Sequence, residues 1–288
     1  MQAMQLRSSQ LAPGAAATLA GVWEATAPKP GNVHPGASFE DATYADFVAS
    51  AVVIGPIMER AAAVGVGQTV LDAVRATREV TGTNTNLGML LLLAPLAAAP
   101  SGTTLAAGIG RVLASLTAGD TRLVYEAIRI SGAGSLGRCE EADVFGRDAP
   151  DQTLVEVMRL AAERDLIARQ FVTDFRDVFR IGEWVADAGC RRIRDSIVYA
   201  HVRQLAASPD SLIARKCGEE VARQASDRAA AVLAAGRPGE TGYVAELAEL
   251  DGWLRADAHR RNPGATADLI GAGLFVLLRE GRLDWTDW

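Results

Sequence analysis

Apolar residues recur at three- and four-residue spacing through nearly all of this chain, and the period-two alternation of half-buried strands is hard to find anywhere. Such patterning leaves one fold class open: all-α, a single-domain multi-helix bundle of about 10–12 helices. The expected helices cover about residues 12–27, 41–64, 67–80, 86–99, 103–117, 120–131, 151–162, 165–187, 189–206, 209–235, 240–258 and 264–280. Punctuation falls at the junctions, as in Asp41, Ser208-Pro209-Asp210, Gly236-Arg237-Pro238-Gly239 and Asn262-Pro263-Gly264. No Ser/Gly linker and no repeat of fixed period divides the chain, so residues 1–288 read as one domain.

Charge and cysteine usage exclude several function classes. A net charge of −6 lacks the basic face that nucleic acid or an anionic membrane surface requires, so any phosphate must be met locally. Cys139, Cys190 and Cys217 are odd in number and widely spaced, which suggests neither a disulfide framework nor a zinc site. The most apolar stretch, Leu87 to Pro100, is interrupted by Pro95 and falls short of the ~20 residues a bilayer needs. With no charged-then-apolar leader at the N-terminus, the expected location is the cytoplasm.

Scarcity makes certain residues informative. There are two lysines (Lys29, Lys216), three histidines (His34, His201, His259) and four asparagines (Asn32, Asn84, Asn86, Asn262). All four asparagines lie in Gly- or Pro-rich junctions, which turn chemistry alone would explain. Yet one junction, APKPGNVHPGASFED at 27–41, also holds Lys29, His34 and Asp41. Its prolines stiffen the backbone, and Gly31 and Gly36 permit close approach. A second junction, TGTNTNLGMLLLLAP at 81–95, passes from a polar knot straight into an apolar helix. Asn and Thr there serve either as caps or as ligands for phosphate or sugar oxygens at a helix N-terminus.

Two further stretches carry carboxylates. In SGAGSLGRCEEADVFG at 131–146, Glu140, Glu141 and Asp143 follow a glycine-rich turn, where they fit Mg²⁺ binding, base catalysis or a solvated acidic patch. In HRRNPGATADLIGAGLFVLL at 259–278, Asn262-Pro263-Gly264 opens a helix whose early turns hold Thr266 and Asp268. Asp268 is also what dipole complementarity favours near a helix N-terminus. His201 and His259 read as packing or surface residues and Lys216 as a helix-face cation. Trp253, Trp285 and Trp288 are candidates to cover a homodimer interface.

Taken together, the four stretches resemble the triphosphoribosyl-dephospho-CoA synthase family. The matching pieces are Glu24 followed by PKPGN, Asp41, TGTNTNLG, the glycine-rich turn with acidic residues at 134–143, and NPGATADLI, in the family's order across about residues 20–280. The resemblance implies an all-α transferase that moves the 5-triphosphoribosyl group of ATP to the ribose 2′-hydroxyl of dephospho-CoA and releases adenine, with Mg²⁺ on the triphosphate. It assigns metal and proton work to Asp41, Glu140, Glu141, Asp143 and Asp268. Nucleotide binding falls to Glu24, Lys29, Gly31, Asn32, His34, Asn84, Asn86, Gly88, Asn262 and Gly264.

The chain departs from the family pattern at two places, one of them Ser38-Phe39-Glu40 where relatives carry a His-containing turn. Where relatives read Asn-Thr-His-Lys-Gly, this chain has Asn84-Thr85-Asn86-Leu87-Gly88, which removes a cation from the knot. The change resembles the branch found in organisms with methanopterin- and furan-type one-carbon carriers. That leaves two other readings beside the family reaction: a related ribosyl or phosphate-ester transfer to another acceptor in one-carbon cofactor synthesis, and a non-catalytic nucleotide-binding helical protein.

Overall fold

A computed structural model describes residues 10–83, 85–132 and 151–283. Fifteen helices form among the described residues: α1 (Pro13–Thr26), α2 (Tyr44–Met58), α3 (Ala61–Val64), α4 (Val66–Thr81), α5 (Leu87–Ala97), α6 (Leu105–Ala114), α7 (Ala118–Ser131), α8 (Leu154–Ala161), α9 (Leu166–Val172), α10 (Arg176–Ala186), α11 (Ile193–Ala207), α12 (Ser211–Cys217), α13 (Glu219–Ala234), α14 (Thr241–Arg255) and α15 (Gly264–Glu280). No strand forms among them; the one isolated bridge pairs His34 with Ala37. The all-α class therefore stands as expected.

The helix count is larger than expected because three long periodic runs are broken. The run over 41–64 starts later, at Tyr44 behind its Thr43 capping box, and separates into α2 and α3 just after Pro56. The run over 165–187 stops at Asp174 and Phe175, both at positive φ, where the fully buried Phe175 ring turns into the core. The run over 209–235 breaks at Gly218, whose φ of 94° no other residue type adopts at low cost. Periodicity reports the face a residue presents, and that face is nearly continuous across a short break.

Two helices form the centre. In α5 every residue except Gly88 is buried, and in α15 every residue from Ala265 to Leu278 except Asp268 is buried. Helices apolar all round have no solvent side, so the others wrap them. A smaller second core joins Val202, Leu205, Ile213, Ala222, Ala229, Val232, Leu250 and Leu254. Helix α11 reaches both cores, with Ile197 and Ala200 in the first and Val202 and Leu205 in the second. His201 between them is fully buried, and burial together with the Lys29 charge pushes its pKa well below the usual histidine value.

Other expectations resolve locally. The Arg228 and Arg261 guanidinium groups lie over the Trp253 ring at 4.8 and 4.4 Å, while Trp285 and Trp288 lie outside the described residues. Cys190 and Cys217 are free thiols, and Cys139 is outside the described residues. No described helix is long and apolar enough to cross a membrane.

The buried carboxylate of Asp210 ties two helix starts together. Its Oδ1 accepts from the Leu212 and Ile213 N–H groups of α12, and its Oδ2 accepts from the N–H and hydroxyl of Thr266 in α15. Asp210→Ala should cost about 3 kcal/mol, because three buried N–H groups lose their acceptor. Thermal unfolding followed by circular dichroism should show a midpoint lower by about 6–12 °C.

Candidate active site

The helix starts on this side of the bundle surround a cleft of about 870 Å³. Its floor is the place where α5 and α15 each give up burial. Asp268 accepts a hydrogen bond from the Met89 N–H, so its carboxylate sits on the N-terminus of α5. A Cβ on residue 88 would come within 2.1 Å of Asp268 Oδ2, so only glycine permits this approach. Burial and the neighbouring Glu24 charge push the Asp268 pKa well above the carboxylate range, and the Met89 N–H only partly offsets them.

Asparagines form one side of the floor. Asn32 Nδ2 donates to Asn262 Oδ1 at 2.6 Å, joining the α1–α2 connection to the start of α15. Arg255 holds the same loop by donating to the Asn32 carbonyl at 2.6 Å. Asn32 Oδ1 is buried with no hydrogen-bond partner, an acceptor left over at a lining residue. Asn86 occupies the N-cap position of α5 and is buried, yet its side chain makes no capping hydrogen bond. Of the two explanations for the polar knot, local capping does not describe Asn86.

Eight of the expected residues therefore share one lining: Glu24, Asn32, Asp41, Asn86, Gly88, Asn262, Gly264 and Asp268. Three others stand behind it. Lys29 is fully buried; its Nζ lies 2.9 Å from Glu24 Oε1 and also donates to the Glu24 carbonyl, so it braces Glu24 from behind. Gly31, at φ 75°, donates its N–H to Asp251 and has Leu254 and Pro263 within 3 Å of where a Cβ would sit. His34 is half-buried and its Nδ1 accepts from the Gly36 N–H; burial and the Arg255 charge pull its pKa down. Asn84, Glu140, Glu141 and Asp143 lie outside the described residues.

Several lining residues escaped the sequence reading. Arg78, Arg164, Arg215 and Lys216 bring positive charge from α4, the α8–α9 turn and α12. Arg215 pairs with Asp165 at 2.5 Å, and Asp165 in turn caps α9. Arginine is too common in this chain for its position to be a signal, but Lys216 is one of two lysines, and that rarity was the available clue. His259, three residues before Asn262, faces the cleft mouth through two successive left-handed residues, Ala258 and His259, at φ 42° and 53°. For L-residues that conformation costs about 1–2 kcal/mol each. Val124, Tyr125, Ile128, Leu154, Val157 and Met158 make an apolar far wall that helical periodicity cannot tell from ordinary core.

The ATP:dephospho-CoA triphosphoribosyl transferase family matches residues 11–287, nearly the whole chain that builds this cleft. The chain belongs to that family. A crystal structure from Archaeoglobus fulgidus, assigned as a triphosphoribosyl-dephospho-CoA synthase, is similar at 27% identity, with a TM-score of 0.65 over 82% of this chain and 100% of the other. Curated protein sequences returned no match. Transferase chemistry on ATP is thus the family context in which the cleft is read.

Gly88→Ala should displace the Asp268 carboxylate by enough to lower turnover about 100-fold, with helical circular dichroism unchanged. Lys29→Met leaves Glu24 as an uncompensated buried charge and should cost about 3–5 kcal/mol in a denaturant melt.

Proposed function

We propose that this chain moves the 5-triphosphoribosyl group of ATP onto the ribose 2′-hydroxyl of dephospho-CoA and releases adenine, with Asp268 as the proton acceptor. The observation that carries the assignment is a carboxylate of raised pKa at the meeting point of two buried helix starts. A base poised above the ordinary carboxylate range is better matched to a hydroxyl proton near neutral pH. In the reaction the acceptor oxygen forms a bond to C1′ as its proton passes to Asp268. The C1′–N9 bond breaks, its electron pair leaves with adenine, and adenine takes up a proton, so that the proton lost to Asp268 is balanced overall.

The remaining residues bind and orient. Asn32, Asn86 and Asn262 offer amides to ribose and phosphate oxygens, and the α5 N-terminus favours anionic groups. Arg78, Arg164, Arg215 and Lys216 line the same cleft and bring positive charge to neutralise the triphosphate. Leu87 itself is buried, at 6% exposure. The second reading, a related transfer to a different acceptor in one-carbon cofactor synthesis, rests on Asn86-Leu87 standing where the family pattern has His-Lys.

Mg²⁺ fits the donors present. Among the described residues no three His, Cys, Asp or Glu side chains converge on one point, so the protein does not form a complete cage. Mg²⁺ habitually takes one or two carboxylates and fills its remaining positions with phosphate oxygens and water. Glu24 and the unpartnered Asn32 Oδ1 are hard oxygen donors suited to that role. The ion would supply charge neutralisation to the triphosphate.

Incubation of the protein with Mg-ATP and dephospho-CoA should release adenine, read by chromatography; release only with another acceptor would support the second reading. The acid limb of kcat/KM reports the free enzyme and should lie above the ordinary carboxylate range, with activity rising as pH rises through the Asp268 pKa. A raised folded-state pKa means the fold binds that proton more tightly than the unfolded chain, so stability from this group is present at low pH and lost as pH rises. Asp268→Asn should therefore abolish turnover yet raise the melting midpoint near pH 7 by about 2–4 °C. The gain should vanish below pH ~4, where the unfolded carboxyl is also protonated.

A further inference from the structure

The cleft mouth holds a cluster that the chemistry above does not use. The His259 imidazole lies on the Phe39 ring with centroids 4.5 Å apart and planes 18° from parallel. Its Nε2 is 3.5 Å from Asp41 Oδ1, and the Asp41 side chain is 73% exposed. All three residues line the cleft. They come from connections far apart in sequence, residues 27–43 between α1 and α2 and residues 256–263 between α14 and α15.

Those two connections do not need a ring pair to hold them together. Lower down they are already joined by Asn32 to Asn262, and the α1–α2 connection is tied to α14 by Gly31 to Asp251 and Arg255 to the Asn32 carbonyl. Even so, the chain adopts two successive left-handed residues to bring the His259 ring to this point. Strain of this kind at a cleft is characteristic of residues placed for a ligand. The cluster offers a stacked aromatic surface beside an exposed carboxylate that can accept hydrogen bonds.

We propose that Phe39, His259 and Asp41 form an adenine-base site, in which the base stacks on the ring pair and its exocyclic amine donates to the Asp41 carboxylate. The proposal rests on the reading of ATP and dephospho-CoA as substrates. A 6-oxopurine would set a carbonyl oxygen against Asp41, so the same carboxylate selects adenine over hypoxanthine. Both substrates carry adenine. The base of ATP is the better match, because it is the group that must leave and the cluster stands at the exit.

The test is calorimetric titration of ATP, ITP, inorganic tripolyphosphate and dephospho-CoA, each alone, into the wild type and three variants. His259→Asn retains a residue tolerant of left-handed backbone, Phe39→Leu keeps the apolar bulk, and Asp41→Asn alters an exposed side chain. Phe39→Leu and His259→Asn should weaken ATP about 5- to 100-fold, the range for a lost base stack, and leave tripolyphosphate within about twofold. Asp41→Asn should bring the affinities for ATP and ITP close together. Equal losses for ATP and tripolyphosphate, or no loss for either, would overturn the proposal. A loss confined to dephospho-CoA would overturn the assignment to the ATP base. If the wild type keeps its ATP-over-ITP preference but never releases adenine, the transferase reading fails and the base site stands.

Discussion

The contact between the Asp268 carboxylate and the N-terminus of α5 governs how the rest of the molecule is arranged. Both α5 and α15 are apolar on every side, and each departs from burial at a single point within its central run. Those points, Gly88 and Asp268, face each other, and the missing side chain of one is the space filled by the other. A carboxylate only partly open to water at the end of a buried helix is costly, as its raised pKa records. The surrounding wrap holds it there, and the same wrap shapes the cleft. Under the proposed role as base, activity and stability pull in opposite directions at this residue.

Charge in the cleft is divided by depth and by origin. The acidic floor comes from α1 and α15, whereas the cations come from α4, the α8–α9 turn and α12. Lys29, the cation in the most distinctive loop, belongs to neither group, because it is spent on fixing Glu24. In the proposed reaction, a triphosphate would meet guanidinium and ammonium groups on one side, and the reacting hydroxyl a carboxylate on the other.

Much of the fold was legible because helical periodicity is a local property. The expected run over 264–280 coincides with α15, and those over 12–27 and 86–99 differ from α1 and α5 by a residue or two at each end. What periodicity missed were short breaks such as Phe175 and Gly218, where the buried face continues through a change of direction. In the site, Asn32, Asn86, Asn262, Gly88 and Asp268 were visible because each is rare or sits where its neighbours do not explain it. Dipole complementarity was the right physics for Asp268, but it acts on the start of α5 rather than on its own helix. Lys29 looked like a phosphate ligand because sequence cannot show that Glu24 lies one turn back and beside it. The apolar far wall was illegible for a simpler reason: a pocket lining and a core read alike until the helices are placed.

Asp210 gives this arrangement a particular kind of inheritance. One carboxylate begins α12, which carries Arg215 and Lys216, and also anchors the first turn of α15, which carries Asp268. The distance from Arg215 and Lys216 to the Asp268 carboxylate is therefore a ruler cut from a single residue. The apolar wall of α7 and α8 is not held by that anchor, and its side chains can drift in size without moving the ruler. A lineage built on this scaffold is free to change what it accepts while keeping where it reacts.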